Sequence, residues 1–129
     1  KNNIILDNNS DKINQLYLDN AIKNAQLEKL IDSLPDGIHT KIGERGSRLS
    51  VGQIQRVGIA RALYVNPDIL FFDEATSSLD PKTEKDLIDV INKFKGKKTI
   101  FMISHKESIL QSCDRILKID QGNIIQQYK

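Results

Sequence analysis

The run Ile69-Leu70-Phe71-Phe72-Asp73-Glu74 constrains this chain more than any other. A short apolar stretch ending in two carboxylates suits a buried strand. Such a strand delivers Asp and Glu to its C-terminal edge, where α/β sheets bind ligands. Upstream stands Arg48-Leu49-Ser50-Val51-Gly52-Gln53-Ile54-Gln55-Arg56. Ser50 is a good N-cap, and the backbone N–H groups after it lack intrahelical partners. A helix end of that kind attracts anions, phosphate included. A phosphate-binding helix end and a strand-end Asp-Glu pair together point to nucleotide chemistry.

The rest of the chain places these two stretches. Asp7-Asn8-Asn9-Ser10-Asp11 reads as a loop. Over 13–33 the pattern is helical, with Leu18, Ala21, Ile22 and Ala25 on one face. Leu27, Leu30, Ile31 and Leu34 continue that face, as the same helix or a second one. Pro35-Asp36-Gly37 is a turn signal, and 38–48 reads as an irregular loop. The helix from Ser50 runs to about Val65, with Ile54, Val57, Ala60, Leu63 and Tyr64 as its apolar stripe. Asn66-Pro67 stops it.

A strand follows over 69–72. Asp80-Pro81 starts a helix with a capping side chain and a proline at its first position. Lys95-Gly96-Lys97-Lys98 ends that helix. A second buried strand, 99–103, leads to Ser104-His105, a short helix over 106–112 and a strand over 115–119. Asp120-Gln121-Gly122-Asn123 reads as a hairpin turn into a last strand, 124–128. The alternation of strands and helices after residue 69 implies a largely parallel sheet.

Composition excludes several classes. Of 129 residues, 39% are hydrophobic and 28% charged, as in an ordinary globular domain. The net charge of +2 gives no electrostatic argument for nucleic acid or a membrane surface. Cys113 is the single cysteine, so no intrachain disulfide forms, which fits a reducing compartment. No apolar run approaches the roughly 20 residues of a membrane span, and the residues after Lys1 show no signal-peptide pattern.

Taken in register, these segments resemble the ATP-binding cassette (ABC) ATPase domain. Arg48 to Arg56 is similar to its signature motif, and Ile69 to Asp73 to its Walker B strand. Glu74 falls at the catalytic glutamate, Ser77-Ser78-Leu79-Asp80 at the D-loop and His105 at the switch histidine. Thr40-Lys41-Ile42-Gly43-Glu44-Arg45-Gly46 is similar to the exporter loop that contacts the coupling helices of a membrane domain. The resemblance implies an α/β fold with a partial P-loop NTPase (RecA-like) core and an α-helical signature subdomain. It places the helical subdomain at 1–66, including loop 40–46, and the C-terminal part of the core at 67–129. It further implies an ATP hydrolase that powers a membrane exporter or flippase from the cytoplasmic face of a bacterial inner membrane.

The expected site follows residue by residue. Glu74 and His105 are the catalytic pair: the glutamate polarises the attacking water, and the histidine bonds the γ-phosphate and holds glutamate and water in place. Asp73 suits Mg²⁺, a cation that takes oxygen ligands and keeps several waters. Ser50, Val51, Gly52, Gln53 and Asp80 contact ATP held by a second ATPase domain. Each residue also has a plainer use. Ser50 can be only an N-cap, Asp73 a strand-end cap, Glu74 a surface acid and His105 a satisfied strand-end histidine. Asp80 stands equally between a helix cap and a cross-subunit contact. The expected partners are that second domain and a transmembrane domain reached through 40–46, with no nucleic acid.

Two departures qualify the match. Val51 occupies a position where the family pattern has glycine, and a β-branched residue cannot adopt positive φ cheaply. No Gly-x-x-x-x-Gly-Lys-[Ser/Thr] phosphate loop is present, because no two of the seven glycines stand five apart. The resemblance therefore covers the part of the domain after the Q-loop, and this chain alone is expected to be inactive. Two other readings stay open: a soluble ABC ATPase, and a non-catalytic module that supplies the signature in trans. In the family sheet the Walker A strand lies between strands 99–103 and 115–119. Strand 115–119 is accordingly expected to pair elsewhere, or two chains to associate across the gap.

Overall fold

The computed structural model describes residues 3–5, 13–43 and 49–128. The order of elements is α1 (Gln15–Asn24), α2 (Glu28–Ser33), a 3₁₀ turn (Gly37–His39), α3 (Val51–Val65), β1 (Ile69–Asp73), α4 (Pro81–Asn92), β2 (Thr99–Ile103), α5 (Glu107–Leu110), β3 (Ile116–Asp120) and β4 (Asn123–Tyr128). The expected loop at 7–11, residues 44–46 of the exporter-like loop and Arg48 lie outside the described residues.

The helical pattern of 13–33 is two helices. Asn14 caps α1 by accepting from the Tyr17 N–H at 3.1 Å. The helix ends where Gln26 takes a left-handed φ of 54°, and α2 restarts from Leu27. Leu18, Ala21, Ile22, Ala25 and Leu27 are all buried, so the continuous stripe serves one core across the break. The helix α3 packs on α1. Arg56 ties it to the break by donating to the Gln26 carbonyl at 2.9 Å. The α3 stripe is corrected at one end: Val57, Ile59 and Ala60 are buried, whereas Ile54 is 56% exposed. Asn66, at φ 51°, closes the helix in the left-handed region that asparagine tolerates.

Strands β1 and β2 pair in parallel, with Ile69 opposite Thr99 and Asp73 opposite Ile103; α4 makes the crossover between them. Leu70 and Phe72 enter the same core as Leu18, Val57, Leu87 and Ile91. The other face is open, which corrects the expectation of fully buried strands. Ile69, Phe71, Phe101 and Ile103 are exposed on it, and the Phe71 and Phe101 rings stack at 4.7 Å. The helix α4 stops at Asn92, before the lysine cluster.

The sheet expectation also needs correction. Among the described residues there are two separate two-stranded sheets, and only β1–β2 is parallel. The strand β3 does not re-pair with the first sheet; it forms an antiparallel hairpin with β4. The hairpin turn carries Gln121 at φ 46° and Gly122 at φ 78°. Positive φ at both central residues is the type I′ arrangement, whose twist matches that of the flanking strands. A local turn thus satisfies β3 on one edge without any long-range partner. Among the described residues no helix is long and apolar enough to cross a membrane.

Candidate functional site

Ser50 opens α3 with a reciprocal capping box. Its hydroxyl accepts from the Gln53 N–H at 3.2 Å, and the Gln53 side chain accepts from the Ser50 N–H at 2.8 Å. Both donors come from the unpaired first turn, so two orphan groups are satisfied at once. Val51 is an ordinary first helical residue, 63% exposed. Valine in the place of glycine is therefore accommodated without positive φ.

Ser50, Val51, Gly52 and Gln53 line one open cleft with Ser78 and Asp80. Gly52 is what allows that closeness. A Cβ built on it would sit 2.8 Å from the Ser78 carbonyl oxygen and 3.5 Å from Leu79 Cδ2. The nearer clash is with backbone, so the turn itself must move to admit alanine. Gly52→Ala is expected to cost about 1–3 kcal/mol, the range for overpacked sites. Chemical denaturation reads it; a loss below half of the lower figure would show that the 78–79 turn yields freely. Gly58, with open space around it, is the control.

Asp80 caps α4 by accepting from the Thr83 N–H at 3.1 Å. The Thr83 side chain and then its backbone N–H hold the Asp80 carboxyl below the ordinary carboxylate range. The residue thus serves as a cap and also lines the cleft.

A second cluster stands at the strand ends. Asp73 closes β1 opposite Ile103. Glu74 follows at φ 45°, an uncommon backbone for a side-chain-bearing residue, costing on the order of 1 kcal/mol or more. An extended strand would send successive side chains to opposite faces; the left-handed step at Glu74 breaks that alternation. Its N–H still donates to the Ile103 carbonyl at 3.0 Å, which ties the turn to β2. His105 Nδ1 lies 3.4 Å from Glu74 Oε1, both side chains being more than half exposed. Residues 31 positions apart are brought together because β1 and β2 are adjacent and parallel. Among the described residues no group of three or more His, Cys, Asp or Glu forms a metal cluster.

The expected residues therefore form two groups. Ser50, Val51, Gly52, Gln53 and Asp80 share the cleft, and Glu74 and His105 pair next to Asp73. The connection between them was not visible in the sequence. Gln55 spans from α3 to the turn 74–78 with three hydrogen bonds. Lys106, one residue after His105, reaches back to the same turn. Its ammonium donates to the Thr76 carbonyl at 2.8 Å and pairs with Glu84, which also accepts from Ser108 at 2.8 Å. A glutamine inside a helix and a lysine after a histidine carry no pattern that would single them out.

The family model for ABC transporters matches residues 2–77, more than half of the chain. The chain belongs to the ABC transporter family. Its relatives include the ATP-dependent lipid A-core flippase of Saccharophagus degradans, 43% identical over 91% of this chain and 20% of that protein. The ATM1-type heavy metal exporter of Novosphingobium aromaticivorans is also 43% identical, over 91% of this chain and 19% of its own length. A solved bacterial Atm1-family ABC exporter with ATP bound superposes with a TM-score of 0.86, 40% identity and 98% coverage of this chain, against 22% of that chain. The chain thus spans about a fifth of the length of each of these three proteins.

Proposed function

We propose that this chain is part of the ATP-hydrolysing nucleotide-binding domain of a membrane ABC exporter or flippase. The observation that carries the reading is the pairing of Glu74 with His105 at the ends of two parallel strands. A carboxylate there accepts a proton from water as the water oxygen bonds to the γ-phosphorus of ATP. The bond from that phosphorus to the β,γ-bridging oxygen breaks, and ADP leaves with the electron pair. Protein catalysis of this step is mostly positioning and charge stabilisation. His105, an exposed donor and acceptor beside Glu74, holds the carboxylate and contacts the γ-phosphate.

Asp73 would hold Mg²⁺ in this reading. The chain would supply the Asp73 carboxylate at the end of β1, and phosphate and water would supply the remaining oxygens. That donor set fits Mg²⁺, which keeps several waters and is bound through one or two carboxylates plus phosphates. When bound, the ion neutralises charge on the phosphates.

The separation into two groups supports a sandwich of two such domains. Ser50, Val51, Gly52, Gln53 and Asp80 form one wall of a cleft that is open on its other side, as suits a surface completed by ATP on a second domain. Residues 1–66 would act as the signature subdomain and 67–129 as part of the catalytic core. Thr40, whose hydroxyl accepts from the Asp36 N–H at 3.1 Å, anchors the start of the 40–46 loop, which would meet the transmembrane domain. The lipid A-core flippase and the heavy metal exporter among the relatives support an export or flipping role, and in this reading the domain works at the cytoplasmic face of a bacterial inner membrane.

The 129-residue chain by itself is expected to bind Mg-ATP no tighter than about millimolar, roughly −4 kcal/mol. It lacks the glycine-rich loop and lysine that supply most phosphate contacts. Calorimetry on the pure chain, beside an ATPase assay of the complete polypeptide, tests the proposal. Micromolar binding with turnover by the chain alone, or a complete polypeptide inert to ATP, would overturn it.

A further inference from the structure

The geometry points to Gln55 as a positioning residue: its side-chain amide ties the backbone of Glu74 and the 77–78 turn to the N-terminal half of α3, so that the two groups of site residues move as one. This rests on the reading of Glu74 as the base and of Ser50 to Gln53 as the face presented to a second domain's ATP.

All three of its hydrogen bonds run to one turn. Gln55 Nε2 donates to Ser77 Oγ at 3.0 Å and, at the longer distance of 3.5 Å, to the Glu74 carbonyl. Gln55 Oε1 accepts from the Ser78 N–H at 3.2 Å. The amide orientation follows from the partners, since a backbone N–H can only donate and a carbonyl can only accept. No isosteric side chain offers both at once: glutamate has no N–H and leucine has neither group.

The turn it grips is the one that needs holding. Glu74 sits at φ 45°, and a residue in that region persists only when its surroundings over-determine it. Within the turn, the Ser77 N–H donates to the Glu74 carbonyl at 3.0 Å. Gln55 adds the only side-chain bonds to this turn from α3 among the described residues. One helical turn earlier, Gly52 leaves no room between α3 and the Ser78 carbonyl. A displacement of the Ser50 end therefore reaches Ser78 by contact at Gly52 and reaches Glu74 through Gln55. In a sandwich of two domains, closure of α3 on the partner's ATP would set the Glu74 that serves this domain's own ATP.

The test uses the complete exporter, with Gln55→Leu and Gln55→Glu made in the parent and in a Glu74→Gln background. Gln55→Leu is expected to lower kcat about tenfold or more, with KM for ATP within about twofold, the signature of an interaction used only in the transition state. In the Glu74→Gln background the same change is expected to alter residual turnover by less than about twofold, because Gln55 acts through Glu74. Gln55→Glu, which keeps the acceptor for Ser78, is expected to fall between parent and leucine variant. The Ser78 amide is expected to exchange hydrogen faster in Gln55→Leu, while α1 amides stay at parental rates. If the leucine variant does not fold, the glutamate variant decides by the same criteria. A kcat within twofold of the parent, or equal losses in both backgrounds, would overturn the link alone. Retained turnover in Glu74→Gln would overturn the reading of Glu74 and the link with it.

Discussion

Glu74→Gln in the complete exporter is expected to reduce ATP turnover by about 10²–10⁴-fold, the range for loss of a positioned general base. ATP binding is expected to survive. Glutamine preserves the length and polarity of the side chain, and the left-handed backbone at Glu74 is held by main-chain bonds to Ile103 and Ser77. What it cannot do is accept the proton from water. The variant should accumulate with ATP bound and, in the proposed sandwich, with the two domains closed. Single-turnover assays with labelled ATP and nucleotide-retention measurements check both halves. Near-parental turnover would falsify the assignment. His105→Ala, which removes the imidazole 3.4 Å from the carboxylate but leaves the base itself, should impair turnover less.

The second large effect is on stability. The Lys106 ammonium joins the Glu84 carboxylate and the Thr76 carbonyl, and Ser108 donates to the other Glu84 oxygen. The Glu84 side chain is only 11% exposed, that of Lys106 27%. Lys106→Met would strand a carboxylate that is almost out of water. Removing one member of a buried pair costs about 3–5 kcal/mol; partial access of water here brings the expected loss to about 2–3 kcal/mol. Urea denaturation measures it. The double variant Lys106→Met/Glu84→Leu is expected to recover most of the loss, since the uncompensated charge goes too. A single-variant loss under about 0.5 kcal/mol would mean that the pair holds nothing in place.

The same pair predicts a pH dependence. Burial pushes the Glu84 carboxyl up, but the hydrogen bonds from Lys106 and Ser108 and the ammonium charge outweigh it, so the group is held below its ordinary value of 4.5. The unfolded chain then binds this proton more readily than the folded one. The stabilisation is present above pH 4.5 and is lost as pH falls through the lower folded value. Stability curves of parent and Glu84→Gln should therefore differ in slope only on the acid side.

Local sequence chemistry determined the ends of the elements. Ser50 was legible as an N-cap, Asp80-Pro81 as a helix start and Asp120 to Asn123 as a hairpin turn, and each rests on contacts within a few residues. The short runs around Ser50, Asp73-Glu74 and His105 stood out for the same reason, each with its own chemistry. Burial and pairing were not legible, because they depend on what lies across space. The runs 69–72 and 99–103 are apolar throughout, so periodicity alone could not show that Phe71 and Phe101 face outward while Leu70 and Phe72 face the core. The split at Gln26 hid inside an unbroken apolar stripe, since both helices bury the same core. Tertiary structure alone decided the contact of Glu74 with His105, the grip of Gln55 on the 74–78 turn and the pairing of Lys106 with Glu84. The partners in these contacts stand 19 to 31 residues apart, and only the parallel register of β1 with β2 and the seat of α3 against the turn bring them within hydrogen-bonding reach.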